Sequence, residues 1–148
     1  MGTAPKYSVS VAGVVVDESD RVLAVKRMDN GRWEAPGGVL ELGETLAEGV
    51  RREVAEETGV HVEVGRMTGA YQNLALGVIA LVFRCRPVGG VPTPSEESRQ
   101  VEWLTLGEVR DRMPLVFAIR VLDAFGDRVE HRVHDGVSLL NEGERPQE

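Results

Sequence analysis

Cysteine is nearly absent from this 148-residue chain: Cys85 stands alone, which excludes an internal disulfide and the small disulfide-stapled scaffolds of secreted proteins. Aromatic residues make up only 5%, so each is weighed individually. No stretch approaches the roughly 18 consecutive apolar residues of a membrane-crossing helix. The opening Met1-Gly2-Thr3-Ala4-Pro5-Lys6 carries no apolar segment of the secretory type, and a cytoplasmic location is the expectation. Positive charge is also short. Lys plus Arg is 17 against 24 Asp plus Glu, a net charge of −7, which argues against surfaces built for nucleic acid or an anionic membrane. A small anionic substrate arriving with its own cation is compatible with that balance.

What is present is a 42% hydrophobic content, enough for one domain with a real core. One domain is expected over residues 1–140, followed by a disordered tail at 141–148. Valine-rich residues 7–16, the polar run Asp17-Glu18-Ser19-Asp20 and the alternating residues 21–27 read as a β-hairpin. Trp33-Glu34-Ala35-Pro36-Gly37-Gly38 reads as a loop shaped for close backbone approach. From Thr45 the pattern turns helical: Glu48 completes a capping-box signature, and Leu46, Val50 and Val54 repeat as a buried stripe. Gly59 has the position and type of a helix-ending residue. Strands are expected at 61–71 and 76–86, with an irregular Pro/Gly loop at 87–94 as a lid or rim. A strand at 99–104 and helices at 106–112 and 115–125 complete an α/β pattern, a mixed sheet between helices.

The chemistry concentrates in the first helix. Glu53, Glu56 and Glu57 stand at i, i+3 and i+4, so their carboxylates crowd one side of the cylinder. Each close pair costs about 1 kcal/mol in water and ~4 kcal/mol near a protein surface, a strain that a divalent cation reverses. The full spacing is Gly38, five residues, Glu44, seven residues, then Arg52-Glu53-Val54-Ala55-Glu56-Glu57-Thr58-Gly59-Val60. Chance produces such a match in about one chain of this length per ten million.

That pattern, with Trp33 and Pro36-Gly37-Gly38 before it, resembles the Nudix box, and residues 7–125 are similar to a Nudix hydrolase. The resemblance implies an α/β/α sandwich whose loop-helix-loop motif holds Mg²⁺ or Mn²⁺ and cleaves a nucleoside diphosphate linked to another group. It implies Glu53, Glu56 and Glu57 as metal ligands with the carbonyl of Gly37 as a further one, and Glu53 and Glu57 as candidate bases. By the same resemblance Glu44 and Arg52 tie loop to helix, Gly38 and Gly59 are structural, and Arg27 reaches a substrate phosphate. Glu96 or Glu97 are candidates for a further glutamate from outside the box, beside Gln100 where similar sequences often carry another. Gly49, where alanine is common, either makes room for a bound water or phosphate or is a neutral lapse.

Trp33 and Tyr71 are candidates to stack on a base, with Trp33 alternatively buttressing the glycine loop; Trp103 reads as facing the core. His131 and His134 have an H-x-x-H spacing but no third ligand of matching type nearby, and read as surface tail. Cys85 reads as a core or sheet residue. Downstream markers of ADP-ribose, dinucleoside polyphosphate, NADH and coenzyme A hydrolases are missing, with Leu74 and Ala75 where the first would place a proline, which leaves a small nucleotide such as a (d)NTP by elimination. An ADP-ribose or nucleotide-sugar pyrophosphatase and a nucleotide-sensing domain without turnover are the alternatives. A homodimer is a possible assembly, since dimers are common among similar proteins.

Overall fold

A computed structural model describes residues 5–147. In chain order its elements are β1 (Ser8–Val15), β2 (Val22–Arg27), β3 (Trp33–Glu34), β4 (Gly37–Val39), α1 (Leu46–Thr58), β5 (Val60–Asn73), β6 (Val78–Gly90), β7 (Ser98–Leu104), α2 (Leu106–Arg112), α3 (Leu115–Asp123), β8 (Glu130–His134) and β9 (Leu139–Leu140). Six strands form a mixed sheet in the order β4-β1-β6-β5-β8-β9, and β3-β2-β7 form a second, antiparallel one.

Strand β1 shows why the large sheet is covered on both faces. Its side chains alternate, and both sets are apolar: Val11 and Val15 pack with Val50 and Val54 of α1, while Ala12, Val14 and Val16 pack with Val109, Ala118 and Val121 of α2 and α3. Gly13 lies under α1, where a Cβ would come within 3.0 Å of Val54. A strand apolar on both faces belongs in the middle of a sandwich, and the mixed sheet between helices is the architecture that the sequence pattern implies.

Several elements differ from the sequence reading. Residues 7–16 and 21–27 do not form a hairpin: β1 pairs with β4 and, in parallel, with β6, whereas β2 pairs with β3 and β7 in the other sheet. Only the bridge Val16↔Val22 joins the two segments, because Asp17 accepts N–H bonds from Ser19 and Arg21 and turns the chain from one sheet into the next. The loop at 33–38 contains β3 and the start of β4. Strand β6 continues through Pro87 to Gly90, with Val62 of β5 opposite Pro87, so the irregular segment begins later than proposed. Cys85 is buried in the sheet.

His131 and His134 are not a surface tail. Both lie in β8, parallel to β5, and His134 is only 1% exposed. The sequence of β8, Glu-His-Arg-Val-His, lacks the apolar alternation that marks a strand, and its partner supplies the missing context. His134 Nδ1 accepts from Gly136 N–H at 2.9 Å, and burial, followed by the charge of Arg120, lowers its pKa to about 4. Of the expected tail, 141–147 include a turn in which Asn141 N–H donates to Glu144 Oε1, and Glu148 lies outside the described residues.

A folded-state pKa below the ordinary 6.5 means that the unfolded chain takes up the His134 proton first. His134 therefore stabilises the fold above about pH 6.5, and that contribution drains away as pH falls toward about 4. Melting temperatures measured at pH 7.5 and 5 should drop further in the wild type than in His134→Gln. An equal drop in both proteins overturns this assignment.

Candidate active site

Helix α1 is fixed at both ends before its acidic residues come into play. Thr45 Oγ1 accepts from Glu48 N–H at 3.2 Å while Glu48 Oε1 accepts from Thr45 N–H at 2.8 Å, a complete capping box. Gly59 closes the helix at φ 76°, a left-handed conformation that glycine takes without a Cβ clash. With its ends set, the helix turns Val50, Glu53, Val54 and Glu57 toward the sheet.

Glu53 and Glu57 are 8% and 6% exposed. They lie beneath Gly37 and Gly38 of β4, and a Cβ on Gly38 would fall 2.6 Å from Glu53 Oε1, so no larger residue fits there without displacing the carboxylate. On Gly37 a Cβ would meet Val11 O at 2.5 Å. Gly37 N–H donates to Glu57 Oε2 at 3.3 Å. Burial, then the charge of Glu53, pushes the Glu57 carboxyl up to about 8.

Arg52 gathers the neighbouring carboxylates. Its Nε and Nη2 grip Glu44 at 2.6 and 2.9 Å, its Nη1 reaches Glu53 Oε1 at 2.8 Å and Glu56 Oε2 at 3.3 Å, and Nη2 also donates to Val39 O at 3.2 Å. The guanidinium holds Glu44 down to about 2. Glu56 shares Arg52 Nη1 with Glu53, but its side chain is 61% exposed where those of Glu53 and Glu57 are buried. Among the described residues no group of three His, Cys, Asp or Glu side chains is arranged to hold an ion. The donor set nevertheless suits a hard divalent cation: two buried carboxylates face each other's charge with only one backbone N–H on Glu57, and every donor is oxygen.

Gly49 has a packing role in place of the two considered for it. A Cβ there would come within 2.7 Å of Leu40 Cδ1 and 3.2 Å of Val11 Cγ2, so the missing side chain lets the loop before α1 close on the helix.

A cavity of about 250 Å³ opens beside Gly37 and Gly38, between β1 and β6 on one side and Arg27, Glu34 and α3 on the other. Arg27 is in its wall, clasped by Asp29 at 2.9 Å through both Nε and Nη2 and by Glu34 at 3.1 Å. Two proposed base-stacking residues are corrected here. Tyr71 is fully buried, with its hydroxyl donating to Asp123 Oδ2 at 2.7 Å, and Trp33 is buried in the core beside Arg112. Neither offers an open face, because both are packed into the core between layers. Glu97 is exposed, its carbonyl accepting from Met28 N–H at 2.9 Å, and it is not among the residues that line the cavity; among the described residues no hydrogen bond joins it to Glu53 or Glu57. Sequence reasoning missed Arg32, Phe117 and Arg120, which also line the cavity. Only the i, i+3 spacing of Phe117 and Arg120 on one helix hinted that those two share a face.

The profile of the NUDIX domain matches residues 6–124. The chain belongs to the Nudix hydrolase family. It is 58% identical to a MutT-like protein of Streptomyces ambofaciens over 94% of this chain and 91% of that one. It is 31% identical both to an ADP-ribose pyrophosphatase of Methanocaldococcus jannaschii, over 69% of this chain and 64% of the relative, and to a putative 8-oxo-dGTP diphosphatase of Bacillus subtilis, over 74% and 71%. A Nudix hydrolase structure from Nitrosomonas europaea shares the fold, with a TM-score of 0.77 and 23% identity over 89% of this chain and 82% of that one. Nudix hydrolases generally use a divalent metal such as Mg²⁺, and the carboxylate oxygens of Glu53 and Glu57 are hard donors that agree with such an ion.

Because a single guanidinium serves the loop and the helix together, Arg52→Ala should lower the melting temperature by at least ~4 °C, with Arg52→Lys recovering only part of it since an ammonium cannot reproduce the two-pronged grip on Glu44. Full recovery in the lysine variant, read by thermal melts at low salt, contradicts that geometry.

Proposed function

We propose that this Nudix hydrolase is a Mg²⁺- or Mn²⁺-dependent pyrophosphohydrolase of a small nucleotide such as a (d)NTP, with Glu53, Glu56 and Glu57 as its metal ligands and the Gly37 carbonyl beside them. The observation that carries the reading is the pairing of buried Glu53 and Glu57 under the Gly37-Gly38 backbone, at the edge of a cavity walled by arginines. The cation, when bound, neutralises charge on the pyrophosphate oxygens and makes a bound water more acidic. Everything else is done by the chain. Glu53 or Glu57 accepts the proton of the attacking water; at Glu57, burial and then the charge of Glu53 strengthen the hold on a proton. Arg27, at the cavity wall, draws a phosphate of the substrate in exchange for Asp29 or Glu34. Glu56 exchanges its 3.3 Å contact with Arg52 for the ion, and Arg52 remains on Glu44 to hold the loop.

A phosphoanhydride suits this end of the cavity because it needs charge neutralisation and an in-line water and little else. The net charge of −7 favours a soluble small molecule over nucleic acid, and no helix among the described residues is long and apolar enough to cross a membrane. A cytoplasmic setting fits both. The name of the Methanocaldococcus relative keeps ADP-ribose as a second substrate reading, while the Bacillus relative's name agrees with the first.

Turnover of a panel containing the common (d)NTPs, ADP-ribose and dinucleoside polyphosphates, with Mg²⁺, tests the assignment through released phosphate or pyrophosphate. Glu57→Gln should lower the rate by about 100-fold or more without lowering the melting temperature of the metal-free protein, because a carboxyl pushed up to about 8 is largely uncharged at neutral pH and the amide matches its volume. Mg²⁺ should raise the wild-type melting temperature and have a much smaller effect on this variant. Near wild-type turnover, or an undiminished Mg²⁺ shift, removes Glu57 from the site.

A further inference from the structure

Arg120 of α3 is a half-buried cation without an anion of its own. Among the described residues it makes no ion pair within 4.0 Å; the carboxylate whose charge it feels is Glu34, already held by Arg27 at 3.1 Å. Its Nε is buried with no hydrogen-bond partner. Its Nη2 lies 3.2 Å from His134 Nε2. Since His134 Nδ1 accepts from Gly136 N–H, the neutral imidazole carries its proton on Nε2, and the approach sets donor against donor. The guanidinium is held in place by two rings instead, 5.0 Å from the centroid of Phe117 and 5.2 Å from that of Tyr71. Leaving a buried guanidinium N–H unsatisfied is costly, and the side chain lines the same cavity as Gly37 and Gly38.

The surroundings define what would satisfy it. Asn73 also lines the cavity, and its side-chain oxygen is committed to Ala75 and Leu76 N–H at 3.0 and 3.1 Å, so it presents only its NH₂ group. Arg32 stands 4.9 Å from the Phe117 centroid and adds further donors. Acceptors among the lining side chains are few: Glu34, engaged by Arg27, and the hydroxyl of Ser10. Between these groups the wall is apolar, with Val78, Ala80 and Val82. A flat group with apolar faces and an acceptor edge fits such a chamber; a further phosphate would lie against valine and alanine.

We propose that Arg120 reads the base of the nucleotide and selects purines whose O6/N7 edge presents two acceptors, guanine or hypoxanthine, over adenine, whose 6-amino group on that edge would add a donor to a wall of donors. This rests on the nucleotide-hydrolase reading of the same cavity and deepens it to the base. The physical rule is the one by which arginine pairs with the two acceptors of guanine and not with the donor-acceptor edge of adenine. The preference also separates the two substrate readings, because ADP-ribose carries adenine.

ITP and ATP isolate the effect, since the base of one has an oxygen where the other has an amino group. Wild-type kcat/KM should favour ITP by roughly tenfold to a hundredfold. In Arg120→Gln, which can accept as well as donate, the ratio should fall to near one, mainly through a higher KM for ITP. That variant should melt no lower than wild type, having lost an unsatisfied buried charge; if it fails to fold, Arg120→Lys, which keeps the charge but loses the planar fork, should show the intermediate ratio. Calorimetric binding of IMP against AMP reads the same preference without turnover. A panel in which nothing is cleaved therefore sinks the hydrolase reading while this measurement still decides the role of Arg120. Equal handling of the two bases by the wild type, or an unchanged preference in a folded variant, overturns the proposal.

Discussion

Glu41, Glu44, Glu53 and Glu56 all lie within 4.0 Å of one guanidinium, that of Arg52. Left alone, so many carboxylates would drive the loop at 40–45 away from α1 and open the floor beneath Gly37 and Gly38. Arg52 prevents this by bonding at once to the loop, through Glu44 and the carbonyl of Val39, and to the helix, through Glu53 and Glu56. Glu57 alone receives nothing from it. The one carboxylate left outside the grip is also the one whose affinity for a proton is raised, by burial and by its neighbour. Structural neutralisation and chemical strain are thus separated along a single turn of helix.

The fold places that turn by packing rather than by polar contacts. Val50 and Val54 share the helix face with Glu53, and they seat it on Val11 and Val15 of β1. The same strand pairs with β4 through Val11↔Gly38 and Ala12↔Gly37, so the register that buries the valines also sets the glycine backbone over the carboxylates. A one-residue slip would turn β1 over and break both at once. Scaffold and site share their determinants here, which is why the glycines tolerate no side chain: the atoms that a Cβ would strike are Val11 O and the Glu53 carboxylate.

What the sequence made legible was local. The capping box at Thr45, the helix end at Gly59 and the pairing of Glu53 with Glu57 are properties of neighbours within four residues, and periodicity reveals those. Partner choice was not local. The turn at Asp17 looked like a hairpin because two valine-rich segments flank it, yet β1 and β2 find better apolar cover in different sheets. Tyr71 looked available because aromatics are few, but it is the anchor on which Asp123 and Arg120 close. His134 looked like tail because nothing in its own segment signals burial, which comes entirely from β5 and α3. Glu56 stands at the right spacing to join Glu53 and Glu57, but spacing alone could not tell that Arg52 competes for it.

The cavity joins two ends of opposite character. Next to one end, beneath β4 and outside the lining itself, carboxylates outnumber cations, and an anionic substrate could approach them only with a metal between. At the other, around α3, the donors of Arg120, Arg32 and Asn73 meet few acceptors. A nucleotide has the complementary polarity: a polyphosphate that travels with a divalent ion, and a base whose edge can present oxygens. The distance between the ends is bridged by apolar β6, which cannot hydrogen-bond to a sugar through its side chains and so leaves the ends to determine the fit. Selectivity for the leaving group then belongs to the β4 and α1 side, and selectivity for the base to α3, so the two can be altered independently by substitution.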